Sequence, residues 1–253
     1  MRRLVEGTPL SVAAAAFKNW ASEADLPAGA LPLAKAIGVN RTTVQAQLLR
    51  GRVREATVIA AARAVNLDPV TVLATFDEYD DLRRGMRPPL PREILSQVTL
   101  SDATVELLRR RNTTYGDALA SVHVWENPPQ PDGLRTWIEA VDPGHIRRDL
   151  AERLGIAAPN LSAQITANKM KPRHLVEAAR IANTSLTSGL AAGGVITLEE
   201  AGWPRDARSH AITHLSNVAF GDLVQARLAS AQRGARRVAS DIAEAQRIQE
   251  TLG

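Results

Sequence analysis

Apolar residues recur at helical spacing along much of the chain. Leu33, Ala34 and Ile37 give a short helix one apolar face, and Val44 and Leu48 lie one turn apart on the inner face of a second. Gly38 stands between them, where the chain must turn sharply and a positive φ costs glycine little. Val39 can fill the angle between the two helices, and Asn40 is a good N-cap. The outer face of the second helix carries Arg41, Thr42, Gln45 and Arg50. Upstream, Thr8 and Pro9 read as the N-cap and first position of a helix that runs to about Ala24 and buries Val12, Phe17 and Trp20. Downstream, Arg52 and Arg54 fall in a loop, and Glu55 to Val65 forms an alanine-rich helix. Asp68 and Pro69 open a fifth helix through Val72, Leu73 and Phe76. Five short helices thus make one domain over 8–76.

The pattern then repeats. At an offset of 117, Trp20 to Ala74 aligns without gaps on Trp137 to Ala191. Leu33-Ala34 meets Leu150-Ala151, Gly38 meets Gly155, Ala46-Gln47 meets Ala163-Gln164, and Asn66 meets Asn183. Apolar character is kept where identity is not: Val39 with Ile156, Val44 with Leu161, Leu48 with Ile165. A second domain is therefore expected over 134–192.

The remaining segments are expected to be helical as well. A connector spans 77–133 and ends in the proline-rich Glu126–Gly133, which holds the two heads at restricted spacing. Asn112–Asp117 resembles Asn217–Asp222, and each is expected to precede a further helix, Ala118–Trp125 and Leu223–Ala231. In the extension over 193–253, Leu228, Ala231, Ala235, Val238, Ile242, Ala245, Gln249 and Leu252 trace a heptad seam. Alanine fills three of these positions. The seam either packs on its own domain or forms a homodimer contact through residues 228–252.

The Ala34, Gly38, Val44 spacing resembles the helix-turn-helix of the Cro/C1-type (lambda repressor-like) family of phage repressors and related bacterial regulators. The resemblance covers about 55 residues twice and leaves 75–136 and 192–253 unaddressed. It departs at one position, Gln47, where the family buries an aliphatic residue; Leu48 is expected to take that role. The departure recurs at Gln164. The expected fold is all-α, with two tandem helix-turn-helix domains of about five helices each, a helical linker and a helical C-terminal extension.

Composition narrows the chemistry. The chain has 253 residues, 45% apolar and 23% charged, the balance of a soluble globular protein, and its +4 charge is too mild to decide anything without its distribution. Locally that distribution is uneven: between Leu26 and Arg54 stand five basic residues and no acidic one. No cysteine is present, which excludes disulfides and thiolate chemistry and fits a cytoplasmic location. No apolar run is long enough to span a membrane.

A helix of this kind fits the major groove of double-stranded DNA, the expected partner. In the first head Asn40, Arg41, Thr42, Thr43 and Gln45 are candidate groove residues. Arginine can pair bidentately with guanine and glutamine with adenine. Arg50, Arg52 and Arg54 are candidates for phosphates, which set register but read no sequence. The amides near Glu55–Thr57 also lie in reach of a phosphate, against the Glu55 charge. The second head offers Asn160, Ser162 and Gln164, beside the short Ala157, Ala158 and Ala163, with Pro159 starting the helix. Lys169, Lys171 and Arg173 supply its basic loop. The first head is expected to carry most discrimination and the second to add phosphate affinity.

Other chemistries are weaker. His210 and His214 have metal-ligand spacing but no third ligand in the sequence. Gly189–Gly194 is glycine-rich, but no strand precedes it and no Gly-Lys-Ser/Thr follows, so it reads as a loop after a helix. No nucleophile elbow or acid–base pair stands out, and neither an enzyme nor a cofactor is expected. The resemblance implies a transcriptional repressor that occludes RNA polymerase, most specifically a phage or prophage immunity repressor. The arginine-rich, alanine-rich composition suggests a GC-rich genome such as that of an actinobacterial phage. The alternatives are a DNA-binding replication or partition factor, and a helical interaction scaffold that binds no DNA.

Overall fold

The computed structural model describes residues 11–111 and 114–252. Among them the architecture is all-α, broken by one sheet of two two-residue strands. In chain order come β1 (Val12–Ala13), α1 (Ala14–Glu23), α2 (Ala30–Ile37), α3 (Arg41–Leu49), β2 (Arg52–Val53), α4 (Glu55–Ala64) and α5 (Pro69–Leu73). A 3-10 turn at Asp77–Tyr79 and α6 (Pro91–Ser96) lead to α7 (Leu100–Arg110) and α8 (Thr114–Val122). Then follow α9 (Gly133–Val141), α10 (Ile146–Leu154), α11 (Ala158–Thr166), α12 (Pro172–Ile181), α13 (Leu186–Ala192), α14 (Ala207–Thr213) and α15 (Asn217–Leu252).

The repeat is visible in the backbone. Shifted by 117, the bounds of α3 and α4 become those of α11 and α12. Left-handed residues recur at the same offset: Gly38 and Gly155, Gly51 and Asn168, Asn66 and Asn183. At the first pair the turn is closed identically, by Val39 N–H to Ala34 C=O and by Ile156 N–H to Ala151 C=O, both 3.0 Å. Only glycine enters this conformation without a Cβ penalty, which fixes the angle between α2 and α3 and between α10 and α11. The copies differ at their first turn. Gly29 precedes α2, whereas Asp142 Oδ1 accepts from the amides of Gly144, His145 and Ile146 to start α10.

The chain divides into two compact units. One holds the described residues up to Ser96 together with Asn127–Arg205; the other holds Gln97–Glu126 together with the residues from Asp206 onward. Both repeats therefore lie in the same unit, and 77–133 is shared between the two units rather than forming a segment of its own. Phe17, Leu33, Val44, Val58 and Leu73 and their equivalents Leu134, Leu150, Leu161, Leu175 and Leu190 belong to one continuous apolar cluster. Each such buried side chain contributes about 1.5–3 kcal/mol, so one core rather than a tether sets the distance between repeats. The proline-rich stretch is packed too: Pro129 lies against Gly194, and Gln130 is buried.

In the second unit Arg110 joins three helices. Its guanidinium donates to Ile212 C=O at 2.6 Å, Leu215 C=O at 3.0 Å and Asn217 Oδ1 at 2.9 Å, bonds Glu106 at 2.8 Å, and lies over the Phe220 ring. Arg227 adds a bond to Val98 C=O. The first turns of α15 are held this way, whereas residues 235–250 are exposed on every side. The Leu228–Leu252 seam is thus not packed on its own unit over those residues.

Several local expectations are corrected. Val12 is buried as a strand residue paired with Val53, not as part of α1; the cap expected at Thr8 and Pro9 lies outside the described residues. Asn217–Asp222 forms the opening turns of α15, and Thr114–Asp117 those of α8, which ends at Val122; Asn112 and Thr113 lie outside the described residues. Gly189 is inside α13, not in a loop: its lack of a side chain lets the helix approach the backbone of α12 at Leu175. A Cβ there would sit on the Leu175 carbonyl oxygen. Gly189→Ala is therefore expected to lower stability by about 1–3 kcal/mol, read as a shifted urea midpoint by circular dichroism.

Candidate nucleic-acid interface

Helix α3 opens on a closed cap. Asn40 Oδ1 accepts from Thr42 N–H at 2.9 Å and from Thr42 Oγ1 at 2.7 Å. Both residues are exposed but tied to each other, and Thr43 is half-buried. Along the outer face Arg41, Gln45 and Leu49 follow at steps of one turn, and all three are exposed, Leu49 to 80%. Leu49 was missed by sequence reasoning. Its signal was an apolar residue on the polar side of an amphipathic helix, beside the inward Leu48. Arg50 and Arg54 are exposed at the far end.

Arg52 is more engaged. Its Nη1 donates to Ser11 C=O at 3.0 Å and to Glu78 Oε1 at 3.1 Å. This half-exposed pair anchors the loop after α3, so Arg52 is only partly turned toward solvent. Glu55 does not confront an incoming anion as its position suggested. It is buried, and it accepts a 2.6 Å bond from Tyr79 Oη. Burial pushes its carboxyl pKa up, opposed by that bond, and burial drives the Tyr79 phenol upward as well. The Glu55 carboxyl thus faces the Tyr79 hydroxyl in the interior rather than solvent at the start of α4.

Gln47 explains the departure from the resembled pattern. It stays on the inner face, 5% exposed, and its Oε1 accepts from Arg54 N–H at 2.8 Å. A buried carboxamide thus ties α3 to the N-cap of α4 and positions the loop carrying Arg50 and Arg54. The expectation that Leu48 replaces it is corrected, because Leu48 is only partly buried. The second copy follows the expectation better: Ile165 is buried at 1% and Gln164 is half-buried. Gln164 Oε1 is sealed from solvent without a partner, as are Asn168 Oδ1 and His174 Nδ1. Gln164 therefore turns its oxygen inward, away from any groove.

The equivalent outer stripe of α11 is Ala158, Ser162 and Thr166, all short. Asn160 is exposed and Ser162 half-buried, and Ala157 supplies no side-chain cap where Asn40 does. Lys169 and Lys171 are exposed and Arg173 is half-buried, so the basic loop persists although the stripe has shrunk. His174 lies buried behind it. Burial, and then the Lys171 and Arg173 charges, depress its pKa to about 4.

Elsewhere, His214 Nδ1 lies 2.8 Å from His210 C=O. Among the described residues no group of three or more His, Cys, Asp or Glu could hold a metal ion. No protein-family model, curated protein or solved structure matches the chain.

Two outcomes test this geometry. Gln47→Ala leaves the Arg54 amide without its acceptor and is expected to cost about 1–3 kcal/mol in chemical denaturation. For His174, the unfolded ring takes its proton near pH 6.5 and the folded ring only near 4. The unfolded state binds more protons between those values. His174 stability is therefore present above about pH 6.5 and lost as pH falls toward 4. The urea midpoint should drop across that window, and His174→Gln should flatten the drop.

Proposed function

We propose that the chain is a sequence-specific double-stranded DNA-binding transcriptional regulator of helix-turn-helix type, a repressor. The observation that carries this reading is the exposed Arg41–Gln45–Leu49 stripe on a helix placed by a glycine turn, in a stretch with no acidic residue from Leu26 to Arg54. Arginine and glutamine supply the donors and acceptors that read guanine and adenine edges, and Leu49 supplies an apolar contact for a thymine methyl. Arg50 and Arg54, with Lys169 and Lys171, then serve phosphates. The unlike stripes of α3 and α11 give a target whose halves differ, with most of the discrimination in the first.

The finer reading, a phage or prophage immunity repressor acting by occluding RNA polymerase in the cytoplasm, rests on the Cro/C1-type resemblance. Among the described residues no helix is long and apolar enough to cross a membrane. Location of bound sites at promoters rather than origins separates a regulator from a replication or partition factor. A lack of binding to random duplex at low salt would favour the scaffold alternative.

Fluorescence anisotropy on labelled duplexes tests the assignment. Arg41→Ala and Gln45→Ala are each expected to lose about 1–3 kcal/mol of discrimination at one base position. Arg50→Ala and Arg54→Ala should weaken all sequences alike and each lower the salt slope by about 1. A flat salt response, or equal loss on every sequence for Arg41→Ala, contradicts it.

A further inference from the structure

The two repeats hold each other reciprocally. Arg63, near the end of α4, bonds Glu200 through Nε at 2.8 Å and Nη2 at 2.7 Å. Glu200 lies in the segment that follows the second repeat. The equivalent arginine of the second repeat, Arg180 near the end of α12, pairs with Asp81 at 2.7 Å. Asp81 lies in the segment that follows the first repeat. The first trailing segment goes on along the second repeat: Leu186 N–H donates to Gly85 C=O at 3.0 Å, and Arg87 N–H donates to Ser185 Oγ at 3.0 Å. Gly85 and Gly202 are themselves equivalent at the offset of 117, and Gly202 packs on Met86.

Such exchange of the arginine pairs is the pattern of a closed arrangement. When a site on copy one meets a site on copy two and the reverse also holds, the copies are related by a twofold; copies related by simple translation make each contact once. The correspondence is approximate, because Asp81 falls two positions before the true equivalent of Glu200, which is Arg83. Rotation by half a turn preserves direction along its axis. Whatever component of its outward direction α3 has along that axis, α11 shares, and the two helices run in opposite senses across it.

We infer that this unit is a covalent pseudo-dimer, and that its DNA target is a pair of unlike half-sites in inverted orientation at fixed spacing. The inference rests on the DNA-binding reading above and adds the geometry of the site. A tandem duplication on its own suggests direct repeats, one for each copy in sequence order. The exchanged arginine pairs instead turn the second copy over, so one chain imitates the twofold of a repressor dimer while keeping two different reading surfaces. The shared core leaves the heads no tether with which to adapt to another spacing.

The test uses the full-length chain on duplexes selected from a random pool, followed by hydroxyl-radical footprinting. Backbone protections mirrored about one central position, with half-site centres about one helical turn or a multiple apart, are expected even if α11 reads few bases. Protections that repeat in the same direction, or that are confined to one half-site, overturn the inference and leave DNA binding standing. Failure to enrich any duplex overturns the DNA-binding reading instead. Inserting roughly half a turn of DNA (about 5 bp) between the half-sites should reduce affinity at least tenfold. Undiminished affinity would show heads that move independently and would also overturn it.

Discussion

One apolar core runs through both copies of the duplicated block, and most of the molecule's behaviour descends from that continuity. Equivalent buried side chains such as Val44 and Leu161, or Leu73 and Leu190, belong to the same cluster. The Arg63–Glu200 and Arg180–Asp81 pairs are half-exposed on the arginine side and contribute at most about 1 kcal/mol each. Their role is to choose one orientation among those the greasy surfaces would tolerate. Apolar burial supplies the energy, and charge supplies the register.

Within that frame the copies have diverged where divergence is cheap. The left-handed turns and the inward aliphatics are retained, because each is required for the helices to meet at all. The outward stripe is free of that constraint, and there Arg41, Gln45 and Leu49 face Ala158, Ser162 and Thr166 at equivalent positions. The glutamine at the inner boundary shows an intermediate case. Gln47 has a backbone amide to satisfy, whereas Gln164 leaves its oxygen buried and unpaired beside a helix that lacks a side-chain cap. Each copy leaves one buried carboxamide atom without a partner, Gln47 Nε2 and Gln164 Oε1, and only the first gains a bond to a backbone amide in return.

Withdrawal of negative charge follows the same logic. Glu78 is the carboxylate that meets the basic loop of the first copy, through Arg52, whereas Glu55 is turned inward. Its bond to Tyr79, and burial that favours the protonated form, keep it out of the surface field. Behind the second loop the sign is opposite: His174, held neutral by burial, adds no positive charge beneath Lys171 and Arg173.

Sequence alone determined the helices, the glycine turns and the duplication, because each is a local matter of periodicity and allowed φ. The outward placement of Arg41 and Gln45 was legible for the same reason. Tertiary structure decided what depends on residues far apart in the chain: that Gln47 reaches the Arg54 amide, that Arg52 is drawn to Ser11 and Glu78, and that Glu55 finds Tyr79. It also decided how the copies face one another. A repeat offset says that two blocks are alike, but their mutual orientation is set by which surfaces exclude water together, and no spacing along a chain encodes that directly.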